Sequence, residues 1–326
     1  MTRKTEGGGQ DIARIGAAGA VSDGAVRPEL GSADADGGGM SLDCLPSGGK
    51  PGRSGKPGVL VISHGSRETG WVRLVEEAVA AAAASDRLQG VPVVCSFLEL
   101  VEGRLIQDGI DRLAALGVTE LFVLPLFVSS GSTHVDDIGQ ALGMPPVGER
   151  AGELERFRIG SMRVTCGDPI DDDPDIAELL YANIRELSAD PEREAVLLIA
   201  HGSGEPVFHE RWQRGMRLLA DRVRTLGGFA RAETAMLLPD QAASRMEELQ
   251  RDPVVESVLV VPLFLSAGYF TQKVIPSRLN GYSYKYNGKP LLPHPYIVRW
   301  MERRAAAWLE TLEVSAVDEQ TGQTDL

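Results

Sequence analysis

The sequence predicts an α/β protein of two homologous lobes, each a parallel sheet covered by helices, and two observations carry that prediction. The first is a repeat: Val59-Leu60-Val61-Ile62-Ser63-His64-Gly65-Ser66 returns as Val196-Leu197-Leu198-Ile199-Ala200-His201-Gly202-Ser203, an offset of 137 residues (59 to 196). At the same offset Pro125-Leu126-Phe127-Val128-Ser129-Ser130-Gly131 returns as Pro262-Leu263-Phe264-Leu265-Ser266-Ala267-Gly268, and Ile138 returns as Ile275. The second is alternation. Short continuous apolar runs, the mark of strands buried on both faces, take turns with stretches of helical spacing. Such an order implies parallel sheets with helices on both sides. At 326 residues and 43% hydrophobic, the chain has material for two cores of about 100–150 residues each.

The elements follow in order. Val59 to Ser63 reads as a buried strand, and the Ala-rich run Thr69 to Ala84 as its helix. Val91 to Leu98 is a second strand, Gly103 to Leu116 a helix, Glu120 to Val128 a third strand and Val135 to Leu142 a short helix. A strand near Phe157 to Met162 closes the first lobe. The second lobe repeats the scheme: helix Pro174 to Leu187, strand Ala195 to Ala200, helix Val207 to Leu226, strand Ala230 to Leu237, helix Gln241 to Leu249, strand Ser257 to Leu265 and helix Thr271 to Leu279. A last helix, Tyr296 to Leu312, is expected to pack across the second lobe. The expected organisation is therefore an N-terminal extension over 1–57, a first lobe over 58–153, a second lobe over 154–313 and a flexible tail over 314–326.

The extension holds no aromatic residue and is dense in Gly, Ser, Asp and Pro. It cannot bury enough apolar surface to offset the entropy of ordering, so disorder is expected, with Met40 as an alternative start. Gly55-Lys56-Pro57 lacks the Ser or Thr and the preceding strand of a phosphate loop.

Composition removes several function classes. The net charge of −13 leaves no basic stripe for nucleic acid. No apolar run approaches the roughly 20 residues of a membrane helix. Three widely spaced cysteines, Cys44, Cys95 and Cys166, suggest neither disulfides nor a zinc knuckle. A reducing, cytoplasmic location is expected. From Gly268 to Arg304 seven basic residues face one acid, Glu302; this is either a solvated face or a local anion site.

In open parallel sheets ligands bind beyond the carboxyl ends of the strands. His64, Glu99 and His134 each sit at or just past such an end, so all three should face one crevice. Two imidazoles and a carboxylate leave open positions on a divalent first-row ion, which suits a site that handles metal. Each residue also has a plainer role open to it: His64 as a turn residue shared with His201, Glu99 as the start of a solvated loop, His134 as a solvated first-turn residue. At the offset of 137 the second lobe has Met236 and Thr271 in place of Glu99 and His134, so only the first lobe keeps the whole set. His209 reads as a helix-face residue and His294 as a turn residue.

Ser63-His64-Gly65-Ser66-Arg67, then Phe97-Leu98-Glu99-Leu100, then Pro125-Leu126-Phe127 followed by Gly131, His134, Asp137 and Ile138 resemble the sirohydrochlorin chelatases of the CbiX/SirB type. The likeness covers nearly all of the chain after Gly58. It departs from the family in the Ser132-Thr133 pair and in Gly139, where a proline is usual. The resemblance implies two flavodoxin-like lobes with the active cleft between them, and insertion of cobalt or ferrous iron into a polycarboxylate macrocycle without ATP, in cobalamin or siroheme synthesis. It makes His64 and His134 metal-presenting residues and Glu99 their acidic partner, with a divalent metal (Co2+, Fe2+ or Ni2+) as substrate and no permanently bound cofactor. Arg67 is the nearest cation for the substrate's carboxylates, with Arg104, Lys273 and Arg278 behind it, and Ser66, Ser132 and Thr133 are further substrate contacts. The loops Ser129 to Thr133 and Ser266 to Phe270 become opposite lips of the cleft, where Tyr269 and Phe270 either face the ring or pack between lobes. The expected partners are a tetrapyrrole and a metal, with no nucleic acid and no membrane, and the expected state is a monomer. A non-catalytic tetrapyrrole or metal carrier using the same cleft is the alternative. A serine hydrolase is disfavoured because no G-x-S-x-G elbow is present.

Overall fold

The computed structural model describes residues 55–321, so the expected N-terminal extension lies outside the described residues except at its last three positions. Strands β1 (Pro57–Ser63), β2 (Val93–Phe97), β3 (Glu120–Pro125) and β4 (Arg163–Cys166) form one parallel sheet in the order β2-β1-β3-β4. Strands β5 (Glu194–Gly202), β6 (Arg231–Leu238) and β7 (Ser257–Pro262) form a second parallel sheet in the order β6-β5-β7. The repeat seen in the sequence is thus a repeat of topology. In each sheet the first strand is central and the chain crosses over it to reach the third.

Period-two alternation divides each central strand between two cores. Val59 and Val61 enter one cluster with Phe122 and Leu124, while Leu60 and Ile62 enter another with Leu121 and Val123. In the second lobe Val196, Leu198 and Ala200 join the same cluster as Val59 and Val61, whereas Ala195, Leu197 and Ile199 face a third. The two lobes therefore share one continuous core. It is filled by Val75 of helix α1 (Thr69–Ala83), Leu180 of α4 (Pro174–Ile184), Trp212 of α5 (Pro206–Gly227) and Trp300 of α8 (Pro295–Thr321). The outer faces are covered by α2 (Ile106–Ala115) and α3 (Thr133–Ala141) on the first sheet, and by α6 (Ala242–Arg251) and α7 (Ile275–Arg278) on the second. A π-helical turn, Phe270–Val274, leads into α7.

Local signals place the helix ends. Asp173 accepts a hydrogen bond from the Asp175 amide at 3.0 Å ahead of Pro174, and Asp108 accepts from the Leu105 amide at 2.8 Å. Gly228, at φ 70°, ends α5 in the left-handed conformation that favours glycine.

Several expectations need correction. The fourth strand lies at Arg163–Cys166 and not at 157–162, because Leu154, Phe157 and Ile159 run as a loop that covers the α2–α3 core. It pairs with β3, so the first sheet reaches past the expected boundary at 153. In the second sheet only a bridge from Lys285 to Leu259 stands in that place. Helix α8 packs on α4 but also on α1 and β3 of the first lobe, and it continues to Thr321 through part of the expected tail. Trp308 lies flat against Phe122, with ring centroids 5.2 Å and planes 13° apart. The reason is that the α8 core positions open onto a layer common to both lobes. Most of the basic residues from Gly268 to Arg304, a stretch that runs into α8, are engaged in ion pairs: Arg278 with Asp240, Lys285 with Glu194, Arg299 and Arg303 with Asp175, and Arg304 with Asp168. Among the described residues no helix is long and apolar enough to cross a membrane.

Candidate active site

Because the chain reaches β2 and then crosses β1 to reach β3, the strand order reverses around β1, and a crevice opens at the carboxyl ends of β1 and β3. His64 follows β1 and His134 opens α3 after β3. Their imidazoles meet edge to face, with ring centroids 4.9 Å and planes 74° apart. Glu99 comes alongside because the backbone pairing of β1 with β2 runs on past both strands. The Leu98 amide donates to the Ser63 carbonyl at 2.8 Å and the Glu99 amide to the His64 carbonyl at 3.1 Å. A Glu99 oxygen then stands 3.8 Å from His64 Nδ1.

Gly65 makes that approach possible. Its φ is 100°, and a Cβ there would lie 2.0 Å from the Glu99 carbonyl oxygen. Leu100 takes a left-handed φ of 66° immediately after Glu99, a conformation that costs a branched side chain of order 1–3 kcal/mol and concentrates at functional sites.

Tautomers follow from the partners. His64 Nδ1 lies 3.1 Å from the Gly65 carbonyl, which can only accept, so Nδ1 carries the proton and Nε2 keeps its lone pair. His201 repeats the contact at 3.0 Å to Gly202. His134 has its Nδ1 3.9 Å from Asp137, a carboxylate only 4% exposed that also receives Arg150 Nη1 at 2.7 Å and the Glu153 amide at 3.1 Å. Burial first, and the neighbouring His64 second, hold His134 below the ordinary imidazole value, against the opposing pull of Asp137, Glu99 and Glu153. His134 is thus kept neutral, with a lone pair available to a metal. Among the described residues, however, no group of three or more His, Cys, Asp and Glu side chains could hold a metal ion. His64 meets His134 and Glu99 pairwise.

The loop carrying His134 is clasped from two sides, by Asp171 in the segment after β4 and by α5 of the second lobe. Ser130 donates from both its amide, at 2.8 Å, and its hydroxyl, at 3.2 Å, to Asp171. A Cβ on Gly131 would lie 2.5 Å from the Phe208 carbonyl and from Trp212 of α5. Sequence reasoning found Ser130 and Gly131 as part of the repeat but missed Asp171, which lies in no motif and reaches the loop only through the fold.

The expected substrate contacts separate. A cleft of about 370 Å³ is lined by His64, Ser66, Glu68 and Trp71 from the first lobe and by Phe264 to Thr271 from the second. The two lips expected at 129–133 and 266–270 are not equal partners in it, since only the second lines this cavity. Arg67 is exposed and is not among the residues lining this cavity, whereas Ser66 lines it and accepts from the Glu68 amide at 3.0 Å. Ser132 and Thr133 are half-buried at the start of α3. Arg104 is elsewhere: it pairs with Glu76 and lies over the Phe97 ring, in a groove between α1 and α2. Arg278 is held by Asp240, while Lys273 is exposed on the π-helical turn without an ion-pair partner among the described residues. His209 lies 3.1 Å from the Ser203 carbonyl and His294 accepts from the Tyr296 amide at 3.3 Å, so both take local structural roles.

The CbiX family model matches residues 58–187 and 195–307. The sirohydrochlorin ferrochelatase of Bacillus subtilis is 29% identical over 154 residues, a match covering 46% of this chain and about half, 53%, of that protein. The sirohydrochlorin cobaltochelatase of Methanopyrus kandleri is 25% identical over 138 residues, 39% of this chain and 94% of that one. Among solved structures, SirB from Bacillus subtilis with Fe3+ superposes with a TM-score of 0.62 at 21% identity, covering 78% of this chain and 98% of that chain, a likeness of fold.

Proposed function

Since the chain belongs to the CbiX family, we propose that it is a sirohydrochlorin chelatase, inserting a divalent metal, Co2+ or Fe2+, into the macrocycle without ATP. The observation that carries this reading is the meeting of two imidazoles 4.9 Å apart, one of which, His64, lines the cleft and has Glu99 3.8 Å away. The curated relatives named for ferrous and cobalt insertion support it.

Insertion replaces two pyrrole N–H protons by one M2+ and releases two protons. It needs water to leave the metal in steps and the protons to find an acceptor. His64, through Nε2, and His134, which is kept neutral, present lone pairs to the metal, so that imidazole replaces water ligands before pyrrole nitrogen does. Glu99, half exposed beside His64, takes the pyrrole protons and returns them to solvent. Arg67, Ser66 and Lys273 meet the macrocycle's carboxylates. The covalent joining of two lobes supplies both walls of the cleft in a monomer.

The test is anaerobic turnover: catalytic protein with sirohydrochlorin and Co2+, Fe2+ or Ni2+ in turn, followed by macrocycle absorbance. Many turnovers above the metal-only rate are expected with at least one metal. A change that saturates at one equivalent would make the protein a carrier instead.

A further inference from the structure

The same loop has opposite chemistry in the two lobes. At the offset of 137, Ser132-Thr133-His134 of the first lobe corresponds to Tyr269-Phe270-Thr271 of the second. The polar triplet that presents a histidine has become an aromatic pair. The place of His134 is taken by Thr271, which is 2% exposed and turned inward, its hydroxyl 3.0 Å from the Gly268 amide.

These aromatics are displayed at the cleft. Tyr269 is 71% exposed and Phe270 36%, and both line the cavity that His64 lines from the other side. They form a built surface: Phe270 stacks on Phe264 at 5.5 Å with planes 14° apart, and Tyr269 meets Phe270 edge to face at 5.8 Å. The base is pinned, since the Tyr286 hydroxyl donates to the Thr271 carbonyl at 2.7 Å. Phe270 also stands edge-on to His201, at 5.2 Å. An exposed aromatic shelf on a rigid base, inside a cleft, has surface to offer to a flat apolar face.

We propose that Tyr269 and Phe270 form the seat for one π face of the macrocycle, while His64 and His134 deliver metal from the first lobe. The duplicated loop has divided the labour: one copy handles the metal, the other holds the ring. This rests on the chelatase reading and specifies which residues fix the ring. It predicts that the aromatic pair acts on macrocycle affinity and leaves metal affinity alone.

The experiment titrates metal-free sirohydrochlorin into the full chain and into Tyr269→Ala, Phe270→Ala and Tyr269→Phe, followed by the macrocycle's absorbance and fluorescence. Steady-state KM for macrocycle and for Co2+ is measured on the same proteins. Loss of each ring is expected to raise the macrocycle Kd and KM about tenfold, with the metal KM within twofold of wild type and Tyr269→Phe close to wild type. Tyr269 is so exposed that its truncation leaves folding intact, which thermal unfolding verifies. Wild-type macrocycle affinity in folded Tyr269→Ala and Phe270→Ala would overturn the seat while leaving the chelatase reading standing. A wild-type chain that neither binds nor metallates sirohydrochlorin would remove both.

Discussion

Asp137 stands behind His134 with one carboxylate oxygen 3.9 Å from the imidazole Nδ1 and the other held by Arg150. At that distance Asp137 acts on the imidazole through its charge, and under the proposed function it is the carboxylate behind a metal-presenting histidine. Asp137→Asn is expected to lower the insertion rate about 10- to 100-fold while the protein remains folded. Steady-state rates beside thermal unfolding curves check this, and a variant as active as wild type would remove Asp137 from the site.

His64→Ala and His134→Ala should each reduce insertion by at least about 100-fold, the scale of a lost acid–base or metal-presenting group. Both side chains are roughly two-fifths exposed, so unfolding temperatures should hardly move. His201→Ala should cost less than about twofold, because the second lobe keeps neither a carboxylate at 236 nor a histidine at 271. Initial rates under anaerobic conditions separate the three variants.

The acid limb of the pH profile should fall below 6.5, the ordinary imidazole value, because burial and His64 hold His134 down. A histidine lowered on folding binds fewer protons folded than unfolded between the two values. Its contribution to stability is therefore complete above pH 6.5 and is lost as pH falls toward the folded value. Replacing His64 by Ala should move the His134 midpoint up, and replacing Glu99 by Gln should move it further down. Proton NMR of the His134 ring measures both shifts, and equal midpoints in all three proteins would contradict the coupling.

Gly65→Ala should disrupt the approach of His64 to Glu99, since the left-handed backbone alone costs about 1–2 kcal/mol and the new Cβ would strike the Glu99 carbonyl. Activity should fall far more than stability, a difference that parallel rate and denaturant-unfolding measurements would reveal.

Trp308→Ala removes the ring stacked on Phe122 and should destabilise the fold by about 3–5 kcal/mol, as large core truncations do. The midpoint of chemical denaturation is the readout. A loss below about 1 kcal/mol would mean that α8 adds little to the first lobe.

The repeat at 137 residues made the succession of strands and helices along the chain legible, because strands buried on both faces leave unbroken apolar runs and duplicated runs demand duplicated neighbours. The places of His64 and Glu99 were legible for the same reason, since each lies just past the end of a strand, while His134 lies farther on, in the first turn of α3 after β3. What the sequence hid depends on long-range packing. Asp171 reaches the His134 loop through tertiary contact alone, Arg104 pairs with Glu76 and so leaves the cleft, and the amphipathic pattern of α8 carries no sign of which lobe it will cover. Phe157 and Ile159 look like a strand because they stand two residues apart, yet with Leu154 they form the buried side of a loop.

The crossing of α8 onto the first lobe has a consequence for biosynthesis. Phe122 leaves the ribosome long before Trp308, its stacking partner, an interval of roughly ten to forty seconds at ordinary elongation rates. Throughout that interval the face of the first sheet that α8 covers has no permanent occupant. The lobe that carries His64 and His134 is thus translated first and completed last.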